Sequence, residues 1–119
     1  MKKCIIIDDS KFMRKIIAEA LVEHGYLIAG EADNGQDGIS LYESTKPDFV
    51  TMDITMSGKG GITAIKEIKA KFPEAKILVI SALNEDAIKS NDKDIEADAF
   101  LTKPFDKKEL IDLVGKILS

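Results

Sequence analysis

Apolar residues fall into two alternating patterns along this chain. Short, nearly continuous apolar runs occupy positions 3–7, 27–31, 48–52, 76–80 and 99–102. The first, third and fourth have almost no polar interruption, as strands covered on both faces require. Between them, apolar residues recur at helical spacing. Over 11–24 these are Phe12, Met13, Ile16, Ile17, Ala20 and Leu21, and Gly25 fits the C-terminal cap. Asn34-Gly35 is a turn signal ahead of a second helix. Gly60-Gly61 precedes a third, with Ile62, Ile65, Ile68 and Phe72 on its apolar side. The charge-rich run 85–98 reads as a solvated helix face. The last helix opens with Asp106 and, three positions on, Glu109, the spacing of a capping box; its face is Leu110, Leu113, Val114 and Ile117.

Strand and helix alternate five times with short connections. The pattern predicts an α/β fold, a parallel sheet with helices on both faces. Right-handed crossovers and a reversal beside the first strand give the flavodoxin-like order 2-1-3-4-5. The 119 residues suit one domain over 1–119. There is no repeat, low-complexity stretch or linker, and the chain stops at its last helix, so no attached effector domain is expected.

Hydrophobic residues at 45% and charged residues at 32% describe an ordinary globule. A net charge of -4 argues against nucleic-acid or anionic-membrane binding. The apolar run after Met1-Lys2-Lys3 is too short for a signal peptide, and nothing approaches the ~18 apolar residues of a membrane span. Cys4 is the single cysteine, has no internal partner, and reads as a small buried hydrophobe in a central strand. A reduced, cytoplasmic setting is the expectation. His24, the one histidine, stands where a helix end needs a cap rather than a catalyst. The run from Asp33 to Asp37 lacks the late glutamate of a calcium loop and reads as a turn.

Five polar residues stand where predicted strands end: Asp8, Asp9, Asp53, Ser81 and Lys103. In an open parallel sheet these ends share one edge, where ligands bind. Adjacent carboxylates repel unless a cation or proton intervenes. Three of them suit Mg2+, which takes oxygen ligands and usually a phosphate. Asp9 and Ser10 have a plainer reading as a helix cap. With no His or Cys beside the acids, a transition-metal site is not expected. Asp53 could attack a phosphoryl group as a carboxylate nucleophile. Charge spread over the equatorial oxygens would then be met by Lys103, the Ser81 hydroxyl and Mg2+. Taken alone, Lys103 reads as a surface lysine and Ser81 as a turn hydroxyl. Pro104 shifts the balance for Lys103, because a proline at a strand end makes a rigid turn, in some proteins a cis one.

Over essentially its whole length the chain resembles the receiver domain of two-component response regulators. The resemblance is carried by Asp8-Asp9, Asp53, Ser81 and Lys103-Pro104-Phe105 at that family's separations. It implies five parallel strands and five helices. It implies Mg2+-dependent transfer of a phosphoryl group from a kinase histidine to Asp53, with Mn2+ as an alternative ion, and then slow self-catalysed hydrolysis. Asp8, Asp9, Asp53 and the backbone carbonyl of Thr55 would hold the metal. Ser81 and Phe100, three positions before the lysine, would form the switch, with the fourth helix, fifth strand and fifth helix as output surface. Implied partners are a sensor histidine kinase, a flagellar motor switch protein or histidine phosphotransfer protein, and a phosphatase, with the chain a monomer. Asp-Asp-Ser with Phe-Met-Arg, and Val-Thr-Met-Asp-Ile-Thr-Met, look like CheY-like stand-alone chemotaxis regulators.

Three positions depart from the family pattern: Ser57, Gly60 and Glu96. They predict a looser 57–61 loop and a fourth helix without a left-handed glycine cap. Other readings are separable by residue. A phosphorelay intermediate has the same chemistry and another output. A flavin carrier needs a hydroxyl- and glycine-rich phosphate loop where Asp8 and Asp9 stand. A hydrolytic phosphatase needs a second aspartate where Thr55 stands. A docking module without phosphorylation usually breaks the acidic pair or loses the lysine.

Overall fold

The computed structural model describes residues 1–55 and 60–119. Its elements are β1 (Lys3–Ile7), α1 (Lys11–Glu23), β2 (Leu27–Ala32), α2 (Gly35–Thr45), β3 (Phe49–Met52), α3 (Gly61–Lys71), β4 (Ile77–Ser81), α4 (Glu85–Asn91), β5 (Ala99–Thr102) and α5 (Lys107–Leu118). The sheet order is β2-β1-β3-β4-β5, and every pairing is parallel. This is the predicted fold.

Side chains alternate across the strands and so feed two cores. Ile5, Ile7, Val50, Met52 and Val79 pack on one face with Ile39 and Tyr42 of α2 and Ile65 and Ile68 of α3. Cys4, Ile6, Phe49, Leu78 and Ile80 pack on the other with Ile17 and Leu21 of α1 and Leu110 and Val114 of α5. Burying a side chain of this size contributes about 1.5–3 kcal/mol, so both layers hold the sheet rigidly beneath its edges. Burial also pushes the Cys4 thiol up to about 12, in keeping with a core role. Among the described residues no helix is long and apolar enough to cross a membrane.

Helix ends follow the local chemistry of the sequence. Ser10 caps α1, accepting from the Met13 amide at 3.1 Å, while Asp9 does not. His24 is the C-cap of α1, and Gly25 follows at φ +94°. Asn34 caps α2 rather than merely marking a turn. Asp106 and Glu109 form the expected capping box.

The fourth helix is shorter than the charge pattern implies. It ends at Asn91, with Asp92 extended at φ -146°. Asp92 accepts from the Asp94 amide at 3.3 Å and pairs with Lys66 at 3.1 Å, local bonds that compete with a further helical turn. The helix does lack a left-handed cap, but Glu96 lies beyond it in the approach to β5. Ser57 lies outside the described residues. In the same loop, Gly60 is the N-cap of α3 without a side-chain bond.

Gly61 is closely packed. A β-carbon there would collide with the Asp53 carbonyl oxygen and the Ile54 Cα, so α3 approaches the end of β3 only because this residue is glycine.

Candidate functional site

Strand register delivers the polar residues to one edge. Ile7 pairs with Met52, so Asp8 and Asp53 are the next residues on neighbouring strands. The Asp53 amide donates to the Ile7 carbonyl at 2.9 Å, and the Asp8 amide donates to Ala32 at 3.0 Å. On the other side Ser81 pairs with Thr102, and the Lys103 amide donates to the Ser81 carbonyl at 2.8 Å. The Lys103–Pro104 peptide is cis. Leu101 is buried and Phe105 packs against the same core, so the turn carrying Lys103 is held from both sides.

The Lys103 ammonium lies 2.9 Å from Asp8 Oδ2 and 3.6 Å from Asp53 Oδ2. The two carboxylates are 2% and 4% exposed, and the lysine side chain 18%. Their other oxygens are held locally. Asp8 Oδ1 accepts from the Ser10 amide at 2.9 Å. Asp53 Oδ1 accepts from the Thr55 amide at 3.0 Å and the Thr55 hydroxyl at 2.8 Å. Each buried acid thus has one oxygen fixed by its own loop and the other turned to the lysine.

Asp9 is the exposed third member. Carboxylate oxygens of Asp8, Asp9 and Asp53 all lie within 4.8 Å of one another. Among the described residues, three negative charges therefore meet one lysine ammonium, an excess of two. Such a group is stabilised by a divalent cation. The donor set is all oxygen, one member faces solvent, and no imidazole or thiolate is present, which fits Mg2+.

Ser81 is fully buried and forms the last residue of β4 rather than following it. Its Oγ accepts from the Leu83 amide at 3.2 Å, the local turn bond its type favours. Phe100 lies farther down β5, opposite Val79, half-buried, with the Lys89 ammonium 5.4 Å from its ring centre. It is therefore set apart from the carboxylates. Thr55 was expected through its carbonyl alone; its hydroxyl bond to Asp53 is an addition, and a threonine two positions after an aspartate is the local pattern that signals it.

The sequence matches known proteins throughout. The response regulator receiver domain model matches residues 4–115. The chain belongs to the response regulator receiver domain family, and is a two-component response regulator. It is 41% identical over 121 residues to the chemotaxis protein CheY of Thermotoga maritima, covering 98% of this chain and 97% of that one. It is 38% identical over 118 residues to protein CcdB of Bacillus subtilis, covering 99% and 98%. In structure it is similar to the CheX-CheY-BeF3-Mg2+ complex from Borrelia burgdorferi, with TM-score 0.93 and 28% identity over 99% of this chain and 90% of that chain.

Proposed function

We propose that this chain accepts a phosphoryl group from a histidine kinase on Asp53, in a Mg2+-dependent reaction, and passes the signal to a protein partner. The observation that carries this reading is Asp53 itself: a buried carboxylate with one oxygen free of backbone bonds, 3.6 Å from the Lys103 ammonium and within 4.8 Å of two further acids.

Asp53 Oδ1 is tied to Thr55, which leaves Oδ2 to attack phosphorus. The new P–O bond forms as the bond from phosphorus to the kinase imidazole nitrogen breaks. Lys103 follows the negative charge onto a phosphoryl oxygen, giving up its contact with Asp8. Ser81 exchanges the Leu83 amide for a second phosphoryl oxygen. Asp8, Asp9, Asp53 and the Thr55 carbonyl would hold Mg2+, or Mn2+ in its place, which supplies charge neutralisation at the transferring group. The Borrelia burgdorferi receiver complex contains this ion with a beryllofluoride group.

Withdrawal of Ser81 makes room for Phe100 to turn inwards from under Lys89, changing the surface formed by α4, β5 and α5. Burial alone drives this step, since phenylalanine has no hydroxyl. The chemotaxis relative from Thermotoga maritima favours a flagellar motor switch protein as target. A second reading, transfer onward to a histidine phosphotransfer protein, is favoured by a relative of nearly equal length whose name does not refer to chemotaxis. Both place a monomer in the cytoplasm beside a CheA-like kinase, with a phosphatase to end the signal.

Incubation with a small phosphodonor and Mg2+ tests the chemistry: one phosphate per chain is expected, and none in Asp53→Asn. Full incorporation by that variant would move the acceptor elsewhere. The output is tested by binding of the Mg2+–beryllofluoride form to the N-terminal segment of the host's flagellar switch protein. Tighter binding on activation supports the motor reading; no binding in either state supports the relay.

A further inference from the structure

We propose that Arg14 is a positioning residue for the cation site, latching the Asp8–Asp9 peptide to β2 and so aiming the Asp9 carboxylate. The inference rests on reading Asp8, Asp9 and Asp53 as cation ligands.

The three acids are not held alike. Asp8 is fixed through its amide, through Ser10 at Oδ1 and through Lys103 at Oδ2. Asp53 is fixed through its amide, through Thr55 and through Lys103. Among the described residues, the Asp9 side chain makes no hydrogen bond or ion pair. Its direction comes from the backbone that enters it, the Asp8–Asp9 peptide.

Among the described residues, one side chain grips that peptide. Arg14 Nη1 donates to the Asp8 carbonyl at 2.6 Å, and Arg14 Nε donates to Glu31 Oε1 at 2.9 Å. Glu31 sits on β2 next to Ala32, whose carbonyl takes the Asp8 amide. The guanidinium therefore closes a loop: β2 holds Asp8 from its amide side directly, and from its carbonyl side through Arg14. The Arg14 side chain is 15% exposed and its partner Glu31 42%, so the inner half of the latch is the shielded half. Two donors at fixed separation are what a guanidinium offers and an ammonium does not. Arg14 is also the chain's single arginine among 17 basic residues, at the one place where such a fork bridges a loop carbonyl to a strand carboxylate.

The test is a Mg2+ titration followed by amide NMR on the wild type, Arg14→Ala, Arg14→Lys, Asp9→Asn and the Arg14→Ala/Asp9→Asn double variant, with urea unfolding of each. Arg14→Ala is expected to weaken Mg2+ binding about tenfold, as loss of a ligand-orienting group does. Arg14→Lys is expected to restore little of it. In the Asp9→Asn background, removing Arg14 should change Mg2+ affinity no further, because coupled residues are not additive. Affinity losses that add in the double variant would mean that Arg14 acts independently of Asp9, and that result overturns the inference. Wild-type affinity in Arg14→Ala overturns it too, while the cation reading stands if Asp9→Asn binds weakly. If Asp9→Asn binds as the wild type does, both fall. Glu31→Ala removes the acceptor of Arg14 Nε, cutting only the outer half of the latch, and keeps the test open if Arg14→Ala does not fold; it should weaken Mg2+ binding less than Asp9→Asn, and unchanged affinity would count against the latch.

Discussion

The two ends of the sheet use aspartate in opposite ways. Where the strands begin, Asp48 accepts from the Lys3 amide at 2.8 Å, and Asp98 accepts from the Ile77 amide at 2.8 Å. Lys69 reaches Asp98 at 3.2 Å and the Ala75 carbonyl at 2.6 Å, tying α3 to β4 and to the approach to β5. Each of these acids satisfies a strand amide that would otherwise be orphaned. Where the strands end, Asp8 and Asp53 share Lys103 while Asp9 stands beside them, and among the described residues the group carries surplus negative charge. The first arrangement stabilises the fold; the second is locally unfavourable without a cation and is understood only through chemistry.

The largest separation between the two ends is expected from Asp8→Ala. Mg2+ affinity should fall about 10–100-fold, and added Mg2+ should raise the Tm of the wild type but not of this variant. An equal Tm rise in both would place the ion elsewhere.

Gly61→Ala comes next. It drives a β-carbon into the backbone of Asp53 and Ile54, with no flexible side chain to yield. A loss on the order of 1–3 kcal/mol is expected from the urea midpoint. A neutral result would mean that α3 can back away from the site freely.

Asp98→Ala sharpens the contrast from the other end. It strips the Ile77 amide and Lys69 of an acceptor and should cost about 1–3 kcal/mol, with Mg2+ affinity unchanged. A Mg2+ effect as large as that of Asp8→Ala would break the distinction between the edges.

The smallest effect is on Cys4. Its thiol is raised from 9.0 to about 12 by burial. The folded group thus stays protonated while the unfolded one ionises above about 9. Its contribution to stability is present below that pH and lost as pH rises towards 12. Native protein should resist a thiol reagent at pH 8 and react only on unfolding.

Much of this was legible in the sequence because of how strands end. Apolar runs at 3–7, 48–52 and 76–80 locate the centre of the sheet, and a polar residue directly after such a run must lie at its edge. Asp8, Asp53 and Lys103 were found that way, and the structure brings them together. The length of α4 was not legible, since charge pattern does not reveal that Asp92 bonds to its own backbone neighbourhood. In the sequence Arg14 stands out only as part of the Phe-Met-Arg run, because its partner Glu31 is seventeen positions away on another element. Gly61 reads there only as preceding the third helix, whereas it also makes close contact with the chain at Asp53. Asp48 reads as the start of a strand and Asp98 as part of a solvated helix face, and neither role was legible because the strand amides they satisfy are distant in sequence.

The central claim is that Asp53 is the phosphoryl-accepting group, and borohydride trapping tests it most directly. The protein is phosphorylated with a small phosphodonor and Mg2+, reduced, digested and mapped by mass spectrometry. Conversion of residue 53 to homoserine, absent without Mg2+ or phosphodonor, is the predicted result. Homoserine at Asp8 or Asp9 instead, or no reduction at any aspartate in fully phosphorylated protein, would contradict it.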